Sequence, residues 1–153
     1  MTDGPLRPIW PVAEVKAFLA AVDRNAAIGK RDYAIFLLAA RLGLRATDIR
    51  ASTLDALNWD KSRLELVQQK TRRALTLPLP QEVGRAIIDY LQNGRPASPY
   101  REVFLRRYAP FGPLCLGRNF SYEVRRYRQL AHLPLMPGMG LHGNPSITSM
   151  AAA

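Results

Sequence analysis

Apolar residues recur along this chain in two rhythms. Val12, Val15, Phe18, Leu19 and Val22 follow the spacing of an amphipathic helix, and Pro11 suits its first turn. Residues 25–29 read as a turn. Residues 31–42 are apolar almost all round (Tyr33, Ile35, Phe36, Leu37, Leu38, Leu42), as in a helix buried in a core. Gly43 is placed to end that helix in a left-handed conformation. A short helix is expected over 46–51.

The period then shortens to two. Residues 56–59, 63–70 and 74–79 read as three strands of an antiparallel meander, turned at 60–62 and 71–73. Leu75, Leu77 and Leu79 share one face of the third strand. Pro80 opens another helix, with Val83, Ile87, Tyr90 and Leu91 inward and Gly94 at its end. Residues 94–101 are loop and 102–105 a short extended piece. Asn119 is placed to cap a last helix reaching about residue 131. Phe120, Val124 and Tyr127 would share its inner face, with Arg125, Arg126 and Arg128 on the others. The pattern predicts an α+β domain, mostly helical, with a small three-stranded antiparallel sheet. Residues 1–10, with Gly4, Pro5 and Pro8, read as a linker. Residues 143–153 show no period and read as an unstructured tail.

Composition narrows the class. A chain of 153 residues is one domain's worth. Its 48% apolar and 22% charged residues are ordinary globular usage. There is no apolar run of the roughly 18 residues a membrane span needs. The only cysteine, Cys115, excludes an internal disulfide and a cysteine zinc site, reads best as a packed thiol, and fits a cytoplasmic protein. No histidine–glutamate zinc spacing, glycine-rich phosphate loop or Ser-His-Asp arrangement occurs, so neither a metal nor a cofactor is expected.

Charge is the first positive signal. Lys and Arg number 22 against 12 Asp and Glu, a formal net charge of +10, and 18 of the 22 are arginine. The guanidinium fork matches pairs of phosphate oxygens, so a polyanion is the partner the charge suggests. A surface solvated by arginine for compositional reasons is the competing reading.

The order of elements is more specific. A helix, a buried helix, Gly-Leu-Arg-x-x-Asp, a three-strand meander with a hairpin lysine, and a further helix follow in order, and the closest block is RDYAIFLLAARLGLRATDIRASTLDALNWDKSRLELVQQKTRRALTLPLP, residues 31–80. This block resembles the catalytic domain of the tyrosine recombinases, the phage integrase family. The resemblance continues through VGRAIIDYL and VFLRRYAPFGPL and covers roughly residues 11–142. It implies double-stranded DNA and other recombinase protomers as partners. It also implies a metal-free, cofactor-free transesterification: a tyrosine hydroxyl attacks a phosphodiester, the 5′-oxygen leaves, and a 3′-phosphotyrosine link results. Arginines facing the non-bridging oxygens stabilise the charge that gathers there.

Carried over residue by residue, the resemblance assigns Arg45 as the first catalytic arginine and Lys70 as the acid that protonates the leaving oxygen. Asp48 becomes a structural support that orients its neighbours. Read without the family, Arg45 is a helix-capping surface arginine, Asp48 a helix-start carboxylate and Lys70 a solvated edge charge. Arg72 and Arg73 are candidates for DNA backbone contact, or for a solvated hairpin. His142 matches the histidine of the family's His-x-x-Arg element, or is a histidine in water.

The chain departs from the family beyond that point. Pro145 stands where the second arginine belongs and Ser146 where a histidine follows. None of the six tyrosines lies after His142, where the nucleophile belongs. The expectation is a partial catalytic domain, truncated and inactive alone, whose family text ends near His142 at a frameshift or rearrangement. The alternatives are a non-catalytic DNA-binding module that regulates a full-length recombinase, and a non-functional remnant.

Overall fold

The computed structural model describes residues 10–114, 120–134 and 150. The elements are α1 (Val12–Ala20), α2 (Ala27–Leu42), α3 (Ala46–Ala51), β1 (Leu57–Asn58), β2 (Arg63–Val67), β3 (Ala74–Pro78), α4 (Gln81–Asn93) and α5 (Ser121–Leu130). A short 3-10 turn, Leu54–Ala56, leads into β1. The mixed, mostly helical architecture and the three-stranded sheet are as the periodicities predict.

Helix α2 is the axle of the domain. Its apolar residues Ala34 to Leu38 are buried on every side, and α1, α3 and α4 pack around it. It begins at Ala27, within the stretch read as a turn. Gly29 is there for close packing: a Cβ at that position would lie 1.6 Å from the backbone oxygen of Asp23. At the other end Gly43 takes φ 68° and donates its N–H to Ala39, closing the helix in the left-handed cap expected of it.

The sheet runs β1-β2-β3, antiparallel throughout. Leu64 faces Leu57 on one side and Leu77 on the other, and Leu66 faces Leu75. These leucines turn toward the core, while Glu65 and Thr76 pair on the open face. Strand β2 stops at Val67, three residues short of the expected end; Gln68 still bonds Arg73 across the hairpin, but the Gln69 amide bonds elsewhere.

Aromatic rings join α1, α2 and α5. Phe18 meets Phe36 edge-on at 4.9 Å and Tyr127 at 5.7 Å. Trp10 completes the cluster, edge-on to Phe18 at 5.2 Å and fully buried, so the last residue of the expected linker belongs to the core. Met150, from the expected tail, is also buried, beside Val12 and Val15. The rest of both expected terminal segments lies outside the described residues, as do Asn119, Cys115 and His142. The residue at the start of α5 is Phe120, in a left-handed conformation.

Two buried charge clusters sit inside this apolar frame. Arg31 and Asp32 pair at 2.9 Å, Arg31 also donates to the Leu105 carbonyl, and the Tyr127 hydroxyl donates to Asp32 Oδ2 at 2.6 Å. Burial pushes the Asp32 carboxyl above its usual range, opposed by the Arg31 charge and the Tyr127 hydrogen bond. The second cluster corrects an expectation: Arg128 lies inside. Only 1% exposed, it bonds Glu14 at 2.7 Å and lies 4.7 Å from the centre of the Trp10 ring.

Candidate functional site

Arg45 follows directly on the left-handed cap of α2. Gly43 reverses the chain, Leu44 buries beneath it, and Arg45 becomes the residue that precedes α3. Its carbonyl accepts the Ile49 N–H, which fixes its backbone, while its side chain stays exposed. One turn later Asp48 is buried at 3% exposure. Its Oδ1 accepts the backbone N–H of Gln69 at 2.8 Å.

That bond crosses from α3 to the β2–β3 turn. It explains why β2 ends early: the Gln69 amide is committed to a carboxylate and not to a strand. Lys70 is therefore the residue after a fixed point, inside the turn and not at the end of the strand as expected. The turn is braced further. Gln68 accepts from Arg72 N–H and donates to the Arg73 carbonyl, both at 2.9 Å. The Thr71 hydroxyl bonds Gln68 Oε1 at 3.1 Å, and Arg72 takes φ 59° to close the turn.

Lys70, Arg72 and Arg73 all point outward from this braced turn and are exposed. Arg45, Lys70, Arg72 and Arg73 have no side-chain partner among the described residues. Three other exposed or half-buried cations are paired: Lys30 with Asp89 at 2.9 Å, Arg41 with Glu82 at 3.0 Å, Arg101 with Asp55 at 2.7 Å. The Asp48 bond thus brings together the helix that follows Arg45 and the turn that carries Lys70. A groove of about 470 Å³ separates α3 from the sheet behind that turn, walled by Asp48, Ser52, Leu66, Gln69 and Leu75.

The tyrosines divide by environment. Tyr127 donates to Asp32, Tyr90 accepts the Leu105 N–H, and Tyr33 lies beneath Arg24, whose guanidinium is 4.1 Å from the ring centre. Burial raises the Tyr90 and Tyr127 phenols above the ordinary tyrosine range, which favours their protonated forms. Tyr100, Tyr108 and Tyr122 are exposed.

Sequence reasoning missed two features. The Gln69 amide has no side-chain signal, so only the structure identifies it as the tie between the two halves of the site. The Arg31–Asp32 pair did carry a signal: two adjacent charges at the head of an otherwise apolar helix. No group of three potential metal-ligating side chains occurs among the described residues. No described helix is long and apolar enough to cross a membrane.

Comparison with known proteins now bears on this geometry. The model of the phage integrase family matches residues 11–137. The integrase/recombinase y4rA of Sinorhizobium fredii is 43% identical over 117 residues, covering 74% of this chain and 28% of that protein. The integrase/recombinase y4gC of the same organism is 35% identical over 122 residues, covering 79% of this chain and 62% of its own length. Tyrosine recombinase XerD of Ralstonia nicotianae is 30% identical over 128 residues, covering 82% and 42%. This chain therefore spans less than two thirds of the length of the relatives it matches.

Solved structures agree on the fold at low identity. XerA recombinase superposes with a TM-score of 0.69 at 14% identity, covering 95% of this chain and 48% of that one. A lambda integrase dimer bound to a core site superposes at 0.67 and 14% identity, covering 99% and 52%. The Tn1549 transposon integrase in complex with circular intermediate DNA gives 0.67 at 16% identity, covering 97% and 51%. A family match over most of the chain, with the Gly-Leu-Arg cap and the lysine-bearing turn tied together by Asp48, places the chain in the phage integrase family of tyrosine recombinases.

Proposed function

We propose that this chain engages duplex DNA as part of a tyrosine recombinase, with Arg45 and Lys70 converging on one phosphodiester. The Asp48–Gln69 bond carries the reading, because it ties the two basic residues' backbones to one frame. Two structurally similar integrases were solved on DNA, which supports the partner. In this reading the Arg45 guanidinium forks onto the non-bridging oxygens, where negative charge gathers during attack. The Lys70 ammonium gives its proton to the departing 5′-oxygen. Asp48 touches no substrate; it is a positioning residue that acts through the turn. Arg72 and Arg73 hold the adjacent backbone phosphates. His142 takes no assigned step.

The chain by itself supplies cations but not the nucleophile. Tyr90 and Tyr127 are committed inside the core, Tyr33 lies half-buried under Arg24, and the exposed Tyr100, Tyr108 and Tyr122 all precede position 142, after which the resemblance puts the nucleophile. A tyrosine hydroxyl from a longer chain or from a second protomer would complete the reaction. This chain alone then binds DNA without forming a covalent adduct.

The test is a salt titration of duplex binding, with adduct formation followed on denaturing gels. Wild type should bind with a steep logarithmic salt dependence and no adduct. Arg45→Ala and Lys70→Ala should each lower affinity and reduce the slope by about one. Salt-insensitive binding, or slopes unchanged in both variants, would contradict the assignment. A covalent adduct formed by this chain alone would refute the missing nucleophile.

A further inference from the structure

A second cavity lies at the far end of α2 from Arg45. Its volume is about 370 Å³. Ile28 and Arg31 line it, whereas Arg45 follows the opposite end of the same 16-residue helix. At 1.5 Å per residue that helix is about 24 Å long, so the cavity is separate from the phosphate site.

Its walls combine two kinds of surface. Tyr108 and Tyr122 stand on the rim, each 69% exposed. Isolated exposed tyrosines are unremarkable, but here both border one concavity. The arginines beside them are Arg106, Arg107 and Arg126. The Arg107 guanidinium lies 5.5 Å from the centre of the Tyr108 ring. Arg106 keeps a buried Nε without a hydrogen-bond partner, a donor the fold leaves unmet.

The floor is the buried pair Arg31–Asp32 with Tyr127 bonded across it. Glu123 adds a second carboxylate to the wall. Four arginines therefore face two carboxylates, and Asp32 is already taken up by Arg31 and Tyr127. The rim remains positive. The floor is braced, so an occupant meets a preformed surface.

We infer that this cavity receives one unstacked nucleotide of a DNA strand, its base against Tyr108 and Tyr122 and its phosphate on the rim arginines. Arginine for the backbone and exposed aromatic faces for the bases are what single-stranded nucleic acid requires. Duplex bases are stacked on one another and cannot offer a face to a tyrosine. A volume near 370 Å³ suits one small ligand. The inference rests on the reading that DNA is the partner, and it adds a preference for unpaired strand.

The probe is a duplex with a short single-stranded overhang carrying 2-aminopurine, compared with the blunt duplex. The overhang should bind at least about fivefold more tightly, with the fluorescence quenched by stacking. Tyr108→Ala with Tyr122→Ala should remove both the advantage and the quench, and leave blunt-duplex affinity unchanged. Because both side chains are exposed, this variant spares the core; the matching double change to Phe should restore the quench. Equal binding of the two duplexes without quenching overturns the cavity assignment and leaves the duplex reading intact. Quenching that survives the double Ala change overturns it too, because the base then stacks elsewhere. Quenched binding of the free single strand without any duplex binding would instead remove the duplex reading and keep the cavity. Failure of all three DNAs to bind overturns both.

Discussion

Charged residues do opposite things in the two halves of this molecule. In the core between α1, α2 and α5 the buried charges are paired and unavailable: Arg31 with Asp32, Arg128 with Glu14. Beside α3 and on the β2–β3 turn, Arg45, Lys70, Arg72 and Arg73 are exposed and have no side-chain partner among the described residues. A buried charge must be matched, because leaving it alone costs several kcal/mol. An exposed cation costs almost nothing to leave unmatched, and it stays free for an external anion. Asp48 belongs to both regimes. It is buried like the first group, yet the amide it holds fixes the turn that carries the second.

The contrast is broken most severely at Asp32. Asp32→Ala would leave Arg31 buried against an empty site, at an expected cost of about 3–5 kcal/mol. Urea unfolding measures it; a loss below about 1 kcal/mol would mean the pair does not hold α2. Tyr127→Phe removes only the hydroxyl, at about 1–3 kcal/mol. Its pH dependence sharpens the point. Burial raises the folded-state phenol above its unfolded value near 10, and the Asp32 charge and hydrogen bond raise it further. The folded state thus holds this proton more tightly than the unfolded chain. Its contribution is complete below about pH 10 and is lost as pH rises through the folded value. The Phe variant should show a shallower alkaline loss, with the remainder contributed partly by Tyr90, whose phenol is also raised.

Asp48→Ala tests the residue that joins the two regimes. Loss of a charge-assisted bond should cost about 1.5–3 kcal/mol, felt first at the turn. Amide exchange should quicken at Gln69 more than at Leu64, and duplex affinity should fall although no cation is removed. Unchanged exchange at Gln69 would deny Asp48 its positioning role. The smallest effect belongs to Asp89, which bonds Asn93 and Lys30 at a half-exposed edge. Those hydrogen bonds hold its carboxyl below the usual 3.8, so its contribution is present above about pH 4 and is lost as pH falls through the folded value. Asp89→Asn should remove that acid dependence and cost no more than about 1 kcal/mol. A larger loss would place this pair with the buried group.

What the sequence conveyed depended on whether a residue acts through its side-chain pattern or through a close approach of backbone. Helix α4, the Gly43 cap and the leucine face of the sheet follow from period and composition, and they were legible. Gly29 was not, because glycine inside a helix and glycine in a turn read alike; only the nearness of the Asp23 carbonyl distinguishes them. Arg128 was misread because a charged residue on a polar stripe is ordinarily solvated, and Glu14 and Trp10 are more than a hundred residues away in sequence. Arg45, Asp48 and Lys70 were legible as candidates only through the resemblance to the recombinase family. The bond that relates them was not, because its donor is a backbone amide.

The most direct measurement is an amide chemical-shift map of the chain on adding duplex DNA at low salt. The account predicts the largest changes around Arg45 and across Gln69 to Arg73, with the buried amides of α2 and α4 little moved. Changes centred on α4, or spread evenly over the domain, would contradict it.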